Sequence, residues 1–352
     1  NERIKLIMAY TTINKSTDNF NTVTYTGTGS SQNITGVGHN PDWVWIKRRN
    51  GTRSHRLFDN VRGVHKSLAS NATDAEADNS YTLTGFITDG FSLGSDSGSY
   101  GVNINGETQV AWNWKAGGAT GSSNSDGSIT STVSANTTAG FSIVSYTGNA
   151  TSGATIGHGL GAVPKMIITK NRDQSSGSQD WCVYHVGVGA NKGIFLNLTN
   201  TPDTNAKYFN NTTPTSSVFT VGDNLGTNGS GDDMIAYCFA EKTGYSKFGS
   251  YEGNSNGDGT FIYTGFKPTF VMIKNIDGTE NWHIFDSKRG GPVAGVFGNP
   301  NKYFLQPNTF NAEANETLDF YSNGFKPRIN NAFLNGNTLI YMAFGQSLVG
   351  SN

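Results

Sequence analysis

Apolar positions along the chain fall in short runs rich in Val, Ile, Thr, Phe, Tyr and Trp, and Gly or Asn-Gly interrupts them about every eight to twelve residues. That spacing predicts short strands joined by tight turns in antiparallel sheets. Trp43 with Trp45, and Trp112 with Trp114, alternate at a spacing of two, so each pair shares one face of a strand. A core role is expected for Trp43 and Trp45, whereas Trp114 is a candidate exposed ring for stacking a sugar. Helical periodicity is scarce, with residues 73–77 and 311–316 the candidates, one turn each.

A single pattern recurs three times. Gly-x-x-Pro precedes an apolar run ending in Lys at Pro41 to Lys47, Pro164 to Lys170 and Pro268 to Lys274. Upstream lie Tyr25-Thr26-Gly27, Tyr146-Thr147-Gly148 and Tyr251-Glu252-Gly253, and downstream come Leu57-Phe58-Asp59, Val183-Tyr184-His185 and Ile284-Phe285-Asp286. Closing strands follow in the same order, matched here as Ala111-Trp112, Ala236-Tyr237 and Ala343-Phe344. Repeats of this size set the architecture more firmly than local propensity does. The expected fold is all-β, with three tandem antiparallel β-sandwich repeats of about 100 residues, jelly-roll or immunoglobulin-like.

The expected division is 1–19 as the closing strand of a preceding repeat or an N-terminal arm, 20–118 as repeat 1, 119–139 as a Gly/Ser/Thr-rich linker, 140–245 as repeat 2 and 246–352 as repeat 3. Residues 4–10 resemble the closing strand of the third repeat, and the chain does not begin with Met. Either the chain is the C-terminal part of a longer protein, or this strand pairs within a visible repeat. The linker predicts that the first repeat swings freely, while the second and third touch.

Composition narrows the function classes. Only 14% of residues are charged, the net charge is −1, and Gly reaches 45 of 352. With no global field, nucleic acid is not an expected partner. No run of 18 apolar residues occurs, so no membrane insertion by a helix is expected. Cys182 and Cys238 are too few for a disulfide framework; buried free thiols are expected, with a disulfide tying two strands as the alternative.

Candidate chemistry is sparse. Asp59 with Arg62, and Asp286 with Arg289, share the motif Phe-Asp-x-x-Arg-Gly and read as structural turns. Residues 47–66 hold seven basic side chains against the single acid Asp59. Within them Arg48, Arg49, Arg53 and Arg56 are candidate contacts for an acidic polysaccharide, since guanidinium forks bind anions bidentately. Lys47, Lys170 and Lys274 are expected as solvated residues at strand ends. No carboxylate pair, Ser-His-Asp set or metal-ligand spacing stands out, and the oxygen-rich stretches at Asp232-Asp233 and 254–258 lack EF-hand spacing. No catalytic residue, metal or cofactor is assigned.

The block 265–274, with Trp282 to Gly290 and the ending Ile340 to Phe344, resembles a family of virion structural proteins of marine tailed bacteriophages. The resemblance is closest in the third repeat and implies tandem β-rich domains in a tail fibre or tail-associated component, with no catalytic residue. On that basis the chain is expected to be a non-enzymatic virion protein in an extracellular particle, partnered by other virion proteins, by copies of itself with a trimer favoured, and by host surface glycans. Alternatives are a capsid decoration or head-fibre protein and a glycan-degrading tail enzyme.

Overall fold

On strand Trp43–Arg48 the residues Trp43, Trp45 and Lys47 leave one side, Val44 and Ile46 leave the other, and all five are buried. A strand apolar on both sides has to lie between two packed layers. The same holds for Met166–Asn171 and Lys267–Asn275, and this double burial organises the molecule. The computed structural model describes residues 10–348 except 97, 99, 119, 175–178 and 291–298. The expected strand at 4–10 therefore lies outside the described residues but for Tyr10.

The chain is nearly all β, with 43% of residues in strands and 3% helical. The first sheet runs Phe20–Thr26, Thr108–Trp114, Trp43–Arg48, Arg56–Asp59. The second contains Phe141–Thr147, Asp233–Phe239, Met166–Asn171, Cys182–His185 in the same spatial order. In the third the order recurs as Ser246–Glu252, Thr338–Gln346, Lys267–Asn275, His283–Asp286. All neighbours are antiparallel. Pro41, Pro164 and Pro268 each stand two residues before the position that pairs with Trp114, Phe239 or Phe344.

That register corrects one sequence match. Trp45 pairs with Trp112, Ile168 with Tyr237 and Met272 with Met342, so the counterpart of Trp112 is Met342, and Phe344 corresponds to Trp114. Sliding the third closing strand by two residues keeps every side chain on its face, so alternation alone cannot detect the slip.

One face of each of these three sheets meets a common core that includes Trp43, Trp45, Trp112, Trp114, Phe141, Tyr237, Phe239, Phe270 and Phe344. Trp43 stacks on Tyr237 with ring centroids 4.3 Å apart, and Phe20 on Phe344 at 5.1 Å. The first sheet thus does not swing freely; its largest apolar side chains are shared with the other two. The opposite faces carry separate cores. In the first sheet Val44 and Phe58 meet Phe91 and Leu93 of a small three-stranded sheet, and in the second Val144 and Ile167 meet Ile156 and Phe219 of a two-stranded ribbon. The third sheet has eight strands and curls so that Lys267–Asn275 lies against Ala314–Tyr321 and Gly324–Pro327, closing Val271 and Phe285 over Leu318 and Phe325.

Residues 119–139 are not a loose linker. Ser122–Asn124 and Ser131–Asn136 extend the second sheet, paired through Phe141–Thr147. The Asp42 carboxylate accepts the amides of Ala116 and Gly118 at 2.7 and 3.2 Å and anchors the approach to them. Ladder hydrogen bonds need no large side chain, so a polar run can serve as an edge strand. Neither expected helical turn forms: Glu76 N–H donates to Arg172 C=O and Glu313 N–H to Arg49 C=O, each at 2.7 Å, which holds both segments extended against a neighbouring sheet. Single helical turns lie instead at Leu225–Asn228 and Ala332–Asn335, capped by the Asn224 and Asn331 side chains.

Candidate functional site

Where two sheets meet, side chains from one reach polar groups of the other. Asp59 and Arg62 form a buried pair at 2.5 Å, and Asp59 also accepts the Tyr237 hydroxyl of the second sheet at 2.8 Å. Asp286 and Arg289 repeat this at 2.6 Å, and Asp286 accepts the Trp112 indole N–H of the first sheet at 2.9 Å. The second sheet has His185 at this place, facing the third. Its target position is Met342, which has no donor, and His185 Nε2 lies 3.1 Å from the Tyr341 carbonyl instead. The loss of Phe-Asp-x-x-Arg-Gly in the middle third of the chain thus follows from what its neighbour offers.

The three lysines are buried, not solvated, since each shares a face with core residues. Lys170 and Lys274 donate to Thr73 and Thr199 carbonyls of the preceding sheet's segment, both at 3.1 Å, while Lys47 donates to Arg48 and Gly51 carbonyls. Burial lowers Lys47 to about 7 and Lys170 and Lys274 to about 8.

The basic run divides. Arg48 pairs with Glu107 at 2.7 Å, and Arg49 holds Glu313 with two nitrogens at 3.0 and 2.9 Å, tying the first sheet to the third. Arg53 and Arg56 line a surface cleft of about 310 Å³ with Thr52, Ser54, Tyr100 and Phe310. Trp114 is fully buried in the common core and takes no part, which overturns its expected exposure.

Local geometry positions the cleft residues. Asp96 accepts the amides of Gly98, Tyr100 and Val102, folding the loop that carries Tyr100. The Arg56 guanidinium carbon sits 4.4 Å from the Tyr100 ring centroid. Burial pulls Arg56 below the usual guanidinium range, opposed by Tyr100, Asp74 and Asp96, and its buried Nε has no hydrogen-bond partner among the described residues. Gly101 has φ +78°, and a Cβ there would lie 2.7 Å from Arg53 Cγ, so glycine admits the arginine stem. Arg53 N–H donates to the Phe310 carbonyl at 3.0 Å, and the Phe310 ring is 57% exposed beside it. Arg53 has no ion-pair partner among the described residues.

An anion can therefore be met by the exposed Arg53 fork while Phe310 offers a ring face. Tyr100 and Phe310 were missed in the sequence reading; each is a lone aromatic in a polar stretch, and that was the available signal. Both thiols are buried and unpaired. Among the described residues no three His, Cys, Asp or Glu side chains cluster as a metal site.

A family model described as a domain of unknown function (DUF7483) matches residues 15–347. The chain belongs to that family. No curated protein and no solved structure matches it. The DUF7483 match begins ahead of the first sheet and ends just past the strand Thr338–Gln346 of the third, so it spans all three sheets.

Proposed function

We propose that the chain is a non-enzymatic structural protein of a tailed-bacteriophage virion, a tail fibre or other tail appendage, whose three sandwich repeats form one rigid head. The carrying observation is the common aromatic core, sealed by Asp59–Tyr237, Asp286–Trp112 and His185–Tyr341 contacts between successive sheets. Three sheets with one matching strand order packed on a shared core suit a rigid end piece of a tail appendage. Low charge and cross-linked lobes suit a particle exposed outside the cell. The Arg53 and Arg56 cleft is the surface at which an acidic host glycan would be held.

Immunogold labelling of purified particles with an antibody against residues 141–352 tests the placement. Label at the tail is the expected result. Label spread over the head makes the protein a capsid component, and unlabelled particles overturn the virion reading.

A further inference from the structure

The edge of the third sheet carries an aromatic surface away from the arginine cleft. Strand Ile262–Tyr263 pairs with Gly324–Pro327, Ile262 opposite Phe325 in the core and Tyr263 opposite Gly324 on the outside. Gly324 in turn pairs with Tyr321, so Tyr263, Gly324 and Tyr321 form one outward row. Phe261 lies at the start of the edge strand with its ring over this row: a Cβ on Gly324 would sit 2.7 Å from Phe261 Cζ. A Cβ there would also press on the Ile262 carbonyl, so the glycine admits both the edge-strand backbone and the Phe261 ring. Phe261 and Tyr321 meet edge to face at 5.8 Å. Phe261, Tyr263 and Tyr321 are 44%, 57% and 37% exposed, whereas exposed apolar residues are ordinarily scattered singly.

The polar rim is internally neutralised. Asp258 pairs with Lys326 at 2.8 Å and with Arg328, Arg328 approaches Asp319 at 3.6 Å, and Tyr321 donates to Asp319 at 3.2 Å. Two acids thus balance two bases, and no charge is left to select an ion. What remains is a set of ring faces with fixed donors and acceptors beside them. A pyranose ring matches both features, its C–H face on an aromatic ring and its hydroxyls on the rim.

We propose that Phe261, Tyr263 and Tyr321 form a stacking platform for a neutral saccharide, a second binding surface beyond the acidic-glycan cleft. Affinity electrophoresis of the full chain through gels containing laminarin, galactomannan, dextran or soluble starch tests it. The expected result is retardation by at least one of these, lost at least fivefold in Tyr263→Ala/Tyr321→Ala, retained in Tyr263→Phe, and unchanged in Arg53→Ala. An unchanged thermal midpoint in the double variant separates lost binding from misfolding. Mobility unaffected by all four polysaccharides overturns the proposal, as does retardation that the double variant keeps. So does a double variant that dissociates a self-associated chain in sedimentation without altering retardation, since the platform is then a contact between copies. Loss of retardation in Arg53→Ala alone would move binding to the cleft and overturn the platform while leaving the cleft reading standing.

Discussion

Replacing Asp59 by Ala removes one partner of a fully buried ion pair at the boundary of the first and second sheets. The Arg62 guanidinium would keep Glu76 at 2.9 Å and the Leu57 carbonyl at 3.0 Å, while the Tyr237 hydroxyl would lose its carboxylate acceptor. Removing one partner of a buried pair costs about 3 to 5 kcal/mol, here because Arg62 is left with Glu76 as its one acid and the Tyr237 hydroxyl without its acceptor. How that cost appears in calorimetry depends on whether the sheets unfold together. If the common core makes the whole chain one cooperative unit, an unfolding entropy of about 0.7 kcal/mol/K turns about 4 kcal/mol into a shift near 6 °C in a single transition. A repeat of about 100 residues unfolding alone has about 0.2 kcal/mol/K, and the same loss would move its own transition by about 20 °C and leave the others in place. One transition displaced by several degrees is the expected thermogram for Asp59→Ala. The double variant Asp59→Ala/Arg62→Leu should recover at least half the loss, because it removes the half-paired guanidinium from the core while Glu76 keeps Arg172. A loss below about 1 kcal/mol, or one isolated transition moving by about 20 °C, would refute the argument that the boundary pairs weld the sheets together.

Burial holds His39 and His185 near 4 and His283 near 3, with desolvation the leading cause. Below about pH 6.5 the unfolded chain binds protons that the folded chain refuses, so stability should fall as pH drops from 6.5 towards 4, by about 1.4 kcal/mol per unit for each such histidine. Urea midpoints across that range check the slope, and His185→Gln should reduce it by one proton, since protonating Nδ1 breaks its bond from the Gly187 amide. Cys182 and Cys238 are buried with thiols pushed above their ordinary range by desolvation, so the native protein should not react with a disulfide reagent until denatured, when both do. Gly101→Ala should cost about 1 to 2 kcal/mol by forcing an L side chain to positive φ, and weaken binding of a sulfated oligosaccharide with Arg53→Ala as the comparison; intact binding in both variants would remove the cleft from consideration.

How much was legible in the chain depended on the range of the interaction that decided each feature. The short apolar runs after Pro41, Pro164 and Pro268, rich in β-branched and aromatic residues and set off by glycine, were enough to predict three strands, because such a run is a local property of the chain. Arg53 and Arg56 stood out as part of a basic run, yet their difference from Arg48 and Arg49 depends on Glu107 and Glu313, distant acids that only folding brings near. The lysines at the strand ends looked solvated because a terminal charge normally is; they are buried because carbonyls meet them, from the neighbouring sheet's segment for Lys170 and Lys274 and from the following turn for Lys47.

The sequence by itself determined the strand-rich composition, the thrice-repeated order of landmarks and the apolar character of Trp43 and Trp45, all consequences of short-range pattern. Tertiary structure alone decided that the three sheets share a core and that Trp114 belongs to it. It also decided that the polar run 119–139 is an edge of the second sheet and that His185 replaces an aspartate where its partner position is Met342. The shared core and the His185 contact depend on which surfaces meet across more than a hundred residues of chain, while the edge at 119–139 is a local pairing whose polar side chains carry no apolar period, so none of them leaves a local periodicity to read.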